Sequence, residues 1–303
     1  APHFNHRFNP AQQVARILWL DQHLKGGVKL PATPKSEFGL GKTAVLYVTP
    51  SRELPVKRVE IYYSVDPDPR SRFWRSAGTL NLGGHWQAGL ELEDLNRPVF
   101  AFANVIYELP KPVTLPHRGD VKEVCISSLF HELKPEELKK TRVQHSGGPE
   151  LVIDNFQNGF RDWYTINGNH RPLWQHWTRK VTDPKWRGPK GAKLALTIQS
   201  EQPNVLGLVL HENTWRHYRG KKHTYVAEVN LKGGQMVTVT VDLSDFKNVT
   251  DGEPLKSWAE LDELGLVAKA TIRGPKSVEV AADPWQGPRP VFKQLEWVLQ
   301  TQD

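Results

Sequence analysis

The sequence is poor in the residues that staple, tether or arm a protein. Cys125 is the only cysteine in 303 residues. A single thiol makes no internal disulfide and excludes a cysteine-based zinc site. It lies between Val124 and Ile126 in an apolar strand-like run, which predicts a buried, inert thiol. No apolar run approaches the roughly 18 residues of a spanning helix. No signal-peptide pattern is visible, so any export signal is expected upstream of residue 1. The G-x-S-x-G turn that presents a hydrolase serine is missing throughout.

What is present is charge and tryptophan. The formal net charge is +7 with a pI near 9.3, and the mean hydropathy is −0.53. The positive charge is dispersed over short clusters, Arg70–Arg75, Lys139–Arg142 and Arg216–Lys222, with no nucleic-acid motif around them. Nucleic acid is therefore not an expected partner; an acidic glycan or cell surface suits the same charge. Eight of the eleven tryptophans lie between Trp163 and Trp297. Exposed indole faces stack on sugar rings, so this enrichment points to a β-rich, sugar-binding second half.

Three regimes follow one another along the chain. Val14, Ile17, Leu18 and Leu24 recur at spacings of three and four, with Trp19 and Leu20 widening the face, which predicts a helix over residues 10–25. Asn9 is its cap, Pro10 its first turn and Gly26-Gly27 its stop. From Leu30 short alternating runs at 43–49, 56–64, 86–92, 99–107 and 121–127 are punctuated by Pro and Gly, predicting an Ig-like β-sandwich over 30–130. Residues 131–149 read as a connector, with a short helix at 135–140. About eight further strands over 150–303 predict a jelly-roll β-sandwich. The expected fold class is all-β: two sandwiches in series behind a short N-terminal helix.

Several segments carry a family resemblance. The opening PHFNHRFNPAQQVARILWLDQHLKG is similar to the last loop and helix of acetylxylan esterase-like and PhoPQ-regulated-protein-like α/β-hydrolases of bacteria. Residues 1–29 would then be the end of a truncated hydrolase domain. His6 matches the catalytic histidine, which is inert without its serine. The segment from Val56 to Leu109, VKRVEIYYS through VFAFANVIYEL, resembles the Ig-like domain that follows that hydrolase, and SSLFHELKPEELKKTRV resembles its connector. ELVIDNFQNGFRDWY, MVTVTVDLSDF and LKSWAELDELGL resemble the jelly-roll domains of family 11 carbohydrate-binding modules and of the related intermediate-associated family. The resemblance implies a secreted or periplasmic accessory region of a carbohydrate-active hydrolase, with a polysaccharide ligand and an upstream hydrolase domain as partners.

The residues themselves nominate sites. In LVLHENTWRHYRG, Leu206, Leu208 and Leu210 share one strand face, and Val209, His211 and Asn213 the other, with Trp215 and Tyr218 following. In WQHWTRK, Trp174, His176 and Thr178 share one face and Gln175 and Trp177 the other. Polar groups beside aromatics predict a carbohydrate site of His211, Asn213, Trp215, Trp177, Gln175, Tyr218 and Glu228. A second reading is a glycoside hydrolase or esterase using two of Asp154, Asp162, Glu201, Glu212, Glu228 and Glu296 across a cleft. A third reading is purely structural: both sandwiches dock on a hydrolase domain. The linker pair His145–Ser146 carries no nucleophile geometry. No metal or cofactor is expected at His211, His217 and His223; a structural calcium would draw on Asp154 or Asp162. The helix needs a surface to cover, which predicts packing on the first sandwich or a homodimer.

Overall fold

The computed structural model describes residues 10–116, 118–167, 174–216, 222–272 and 277–299. His6, Asn9, His217 and Tyr218 lie outside them. The chain is all-β apart from short helices, and it divides into two units. One comprises the described residues up to Pro67 together with Trp74–Gly148. The other comprises Asp68–Phe73 and the described residues from Pro149 onward.

In the first unit α1 (Pro10–Lys25) precedes β1 (Lys35–Leu40), β2 (Ala44–Thr49), β3 (Val56–Ser64), β4 (Arg75–Ala77), β5 (Leu80–Leu82), β6 (His85–Leu90), β7 (Val99–Leu115), β8 (Gly119–Ser127), β9 (His131–Leu133) and α2 (Pro135–Lys139). Strands β1-β2-β6-β5 form one antiparallel sheet; β4-β3-β7-β8, with β9 on β7, form the other. Leu46 and Val48 from the first meet Ile61, Tyr63, Ala103 and Val105 from the second in one core. Tyr107 is buried there with its hydroxyl satisfied, accepting the Ser51 N–H at 3.0 Å.

Helix α1 packs on β7 and β8, adding Val14 and Leu18 to that core. The predicted apolar face is therefore narrower than expected: Trp19 (52% exposed) and Leu24 (75%) face away. Gly26 stops the helix at φ 64°, a conformation that costs other residues more. The connector is tacked to the same unit. Ser146 Oγ accepts the Leu92 N–H at 3.1 Å, and His145 Nδ1 sits 3.0 Å from the Glu93 carbonyl.

The second unit runs β10 (Val152–Asp154), β11 (Tyr164–Asn167), β12 (Trp174–Thr178), β13 (Ala192–Gln199), β14 (Asn204–Glu212), β15 (His223–Leu231), β16 (Met236–Val241), β17 (Lys247–Asn248), β18 (Leu261–Val267), β19 (Ala270–Ile272), β20 (Val278–Val280) and β21 (Val291–Leu299). A four-stranded sheet, β10-β21-β13-β16, opposes a six-stranded one, β11-β12-β18-β14-β15-β17; β19 and β20 form a separate hairpin. Leu194, Leu196 and Ile198 of β13 and Leu295 and Trp297 of β21 meet Leu206, Leu208 and Leu210 of β14 and Leu264 and Leu266 of β18.

Six of this unit's tryptophans, Trp163, Trp174, Trp177, Trp258, Trp285 and Trp297, are buried. The tryptophan enrichment thus serves packing more than an exposed stacking surface. Gly188 makes this packing feasible, since a Cβ there would meet Trp258 at 2.5 Å. Among the described residues no helix is long and apolar enough to cross a membrane.

Candidate functional site

Strand alternation fixes which side chains of the six-stranded sheet face away from the core. The leucines of β14 point inward, which turns Val205, Gly207, Val209 and His211 outward. On β12, Trp174 and His176 point inward; Gln175 and Trp177 point outward. Cross-strand register then lays out two rows on the outer face. One runs Tyr164, Trp177, Gly265, Val209, Val226; the next opposes Glu263, His211 and Thr224.

Trp177 lies flat across Gly265, where a Cβ would meet its ring at 2.5 Å. Its indole stacks on the His211 ring, centroids 5.2 Å apart and planes 9° from parallel. Its N–H donates to Gln175 Oε1 at 3.2 Å, and Gln175 Nε2 donates to the Lys269 carbonyl at 2.9 Å. The hairpin β19–β20 closes over part of this face. Ala270 and Val280 pack with Trp177, Val209 and Val267 in a second, smaller apolar cluster. Gly207 permits that approach, because a Cβ there would meet Val280 and Val267 at 2.6 Å.

Beside the stacked pair sits a buried carboxylate, Glu263 (2% exposed). The Tyr164 hydroxyl donates to it at 2.8 Å and Arg179 Nε at 3.3 Å. Burial raises the Glu263 pKa despite the opposing guanidinium, and burial beside this carboxylate raises the Tyr164 phenol. Arg179 spans the site: its guanidinium lies 4.6 Å over the Trp215 ring, and its Nη1 donates to the Arg70 carbonyl at 2.6 Å. Asp262, fully buried, accepts the backbone N–H of Trp215 at 2.8 Å and of Arg216 at 3.3 Å, which positions Trp215 over the sheet end. His211 shares a hydrogen bond with Thr224 at 3.1 Å, and burial lowers its pKa to about 4, so it is a neutral ring at physiological pH.

Of the sequence-nominated residues, the structure brings Trp177, Gln175, His211 and Trp215 to one end of one face. Trp177 is only 5% exposed there, so most of its ring is spent on packing. Asn213 does not continue the strand face; it sits past β14 in a left-handed turn at φ 56°. Glu228 lies apart, toward the other end of β15, accepting the Ala281 N–H at 2.7 Å. Glu263, Tyr164 and Arg179 were not nominated. The one available signal was an acid inside the apolar run LDELGLV.

Several of the acids considered for catalysis have structural partners. Asp154 accepts from Trp163 Nε1 and Lys180 Nζ, at 2.8 and 2.9 Å; Asp162 lies 3.3 Å from the same ammonium. Lys180 thereby supplies the positive charge that a calcium would bring. Glu212 accepts from Tyr225 at 3.3 Å, and Glu296 is on the opposite sheet. Among the described residues, no group of three or more His, Cys, Asp or Glu is placed to hold a metal.

No family model matches the sequence, and no curated protein matches it. Among solved structures it is similar to SGBP-B from a complex xyloglucan utilization locus in Bacteroides uniformis. The identity is 10%, covering 90% of this chain and 100% of that one, with a TM-score of 0.22. A likeness that low carries no argument about fold or ligand.

Proposed function

We propose that the chain is a non-catalytic accessory region of a secreted or periplasmic carbohydrate-active hydrolase, and that its second unit binds polysaccharide. The observation that carries this reading is the outer face of the six-stranded sheet. It is paved with Trp177, His211, Tyr164 and Trp215 and interleaved with Gln175, Glu263 and Arg179. A pyranose needs such a mixture: ring faces for its C–H surface and fixed polar groups for its hydroxyls. Trp215, Tyr164, His211 and Arg179 are the half-exposed members and would form the contact surface. Buried Trp177 and Glu263 would hold them in place. The resemblance of the opening segment and of Val56–Leu109 to hydrolase-linked sequences supports the accessory role.

The test is a paired screen of the chain against glucan, xylan, mannan and pectin by affinity electrophoresis, with hydrolysis of the same panel and of aryl acetates followed in parallel. Binding without turnover, weakened by Trp215→Ala, is expected. Turnover that persists in His6→Ala would place an active site on the sandwich itself. Failure to bind any of the panel would remove the polysaccharide reading.

A further inference from the structure

A groove of about 660 Å³ opens at the other end of the same sheet, away from the Trp177–His211 pair. It is lined by Val205 at the start of β14, Asn230 and Lys232 at the end of β15, and Asp283, Pro284 and Gln286 of the segment after β20. Its volume is in the range of small-molecule sites, roughly 300–1,000 Å³.

Its wall is held by side chains rather than left as a loose loop. Glu228 accepts the Ala281 N–H at 2.7 Å, and Lys269 Nζ donates to the Ala282 carbonyl at 2.8 Å. Asn204 takes both backbone groups of Gln286: its Oδ1 accepts the N–H at 2.7 Å and its Nδ2 donates to the carbonyl at 3.0 Å. Ala281, where the chain turns from β20 into this wall, sits at φ 51°, a conformation costly for a residue with a Cβ. Backbone strain held by surrounding contacts is a recurrent mark of ligand sites. The lining is spent differently. Among the described residues no hydrogen bond or ion pair uses the side chains of Asn230, Lys232 or Asp283.

We propose that this groove binds one neutral pyranose unit of a polysaccharide chain, as a subsite separate from the aromatic end of the sheet. The inference rests on the polysaccharide reading above. Val205 and the proline rings offer an aliphatic surface to the C–H face of a pyranose. Asn230 and Gln286 each offer a donor and an acceptor, Lys232 only donors and Asp283 only acceptors, which matches hydroxyls that do both. One cation and one anion line the groove, so nothing in it selects a uronate or a phosphate over an uncharged sugar. Glu228 acts as a positioning residue through Ala281 and does not touch the sugar.

Calorimetric titration with cellohexaose, xylohexaose, mannohexaose and hexagalacturonate tests it. At least one neutral hexaose should bind, and Asn230→Ala or Asp283→Ala should each weaken it about fivefold, the share of one hydrogen bond. Both residues are exposed or unpartnered, so the variants should keep the wild-type melting temperature. Glu228→Ala should weaken binding as well, and Glu228→Gln should restore it, since an amide oxygen still accepts the Ala281 N–H. A neutral hexaose bound equally by wild type and the groove variants, but lost in Trp215→Ala, would overturn the groove and leave polysaccharide binding intact. Binding of hexagalacturonate alone would overturn the neutral-sugar assignment. No binding by wild type would overturn both.

Discussion

The two sheets of the second unit turn very different outer faces outward. On the four-stranded sheet, Leu194, Leu196 and Ile198 of β13 go in, and Lys193, Ala195, Thr197 and Gln199 go out, Ala195 and Thr197 opposite Thr240 and Thr238 of β16; of these four only the small Ala195 is buried. The outward residues meet little; Thr197 and Thr238 share a hydroxyl bond at 2.8 Å, and Lys193 lies 3.3 Å from Asp242 at the surface. On β14 and β18 of the six-stranded sheet alternation of burial disappears, while β15 keeps it. All seven residues of β18 are buried, and so are five consecutive residues of β14. A strand covered on both sides reads as continuous burial. What covers this one is the hairpin β19–β20 over Val209 and Val267, and Trp215 with Arg179 over Glu263. The outer face of the four-stranded sheet is largely solvated, and that of the six-stranded sheet is built like an interior over β12, β14 and β18. Ordering polar groups without water around them costs free energy, so a face built this way is where a function is to be sought.

The largest expected difference between the faces lies in their ion pairs. Arg179→Ala leaves the Glu263 carboxylate buried without its cation, and should destabilise the protein by about 3 kcal/mol, the lower end for a broken buried pair because the guanidinium keeps some exposure. Lys193→Ala, which deletes a cation of similar charge from the other face, should cost under about 0.5 kcal/mol. Denaturant midpoints measure both, and equal costs would dissolve the distinction. Next comes Gly265→Ala. Its Cβ must displace the Trp177 ring from Gly265 and from the His211 stack, a loss of about 1–3 kcal/mol. Trp177→Phe in the same background should recover part of that loss, because the smaller ring gives the methyl room.

Part of the fold is legible in the sequence: the run 56–64 reads as a strand and is β3, and 99–107 reads as a strand and lies within β7. The helix over 10–25 was equally plain, because Val14 and Leu18 sit at one-turn spacing. Continuous burial does not by itself hide a strand: the alternation of Leu206, Leu208 and Leu210 against Val209 and His211 is legible although five consecutive residues of β14 are buried. Strand β18 carries Asp262 and Glu263 as buried residues, and neither is nominated from the sequence. The partners of Glu263, Tyr164 and Arg179, lie 99 and 84 residues away in sequence. Nothing local marks such a pair. Trp215 and His211 are legible as chemistry, but the sequence does not show that they meet Trp177 and Arg179, which come from β12 and the segment after it.

Titration gives a third way to sharpen the comparison. Burial lowers His211 on the outer face to about 4 and His176 on the core side to about 3. Both rings are neutral in the folded protein and take up protons in the unfolded chain near pH 6.5. The unfolded state therefore binds more protons below that value, and stability falls as the pH drops from about 6.5 toward 4 and 3 respectively. Glu263 acts in the opposite sense: its raised carboxyl takes up a proton in the folded state first, so lowering the pH through its raised value returns some stability. Unfolding measured between pH 7.5 and 4.5 should lose stability, with a shallower slope in either His211→Gln or His176→Gln. A His211 that titrates near its usual pKa by NMR would mean that the outer face is wet.

The smallest effect discriminates most cleanly, because it uses one pair of nearly isosteric side chains. Thr197→Val on the four-stranded sheet removes the hydroxyl bond to Thr238 at an exposed site, and water replaces the lost partner. The change should stay within about 0.5 kcal/mol. Val209→Thr on the six-stranded sheet inserts the same hydroxyl among Trp177, Val267 and Val280, where no partner waits for it. It should cost about 1–3 kcal/mol, the desolvation of one unsatisfied hydroxyl. Neither swap changes the volume much, so thermal melts of the two variants compare hydration and little else. A Val209→Thr variant as stable as Thr197→Val would mean that water reaches beneath the β19–β20 hairpin. The second sheet would then present a face as open as the first, and the aromatic pavement at its end would have to be explained as surface.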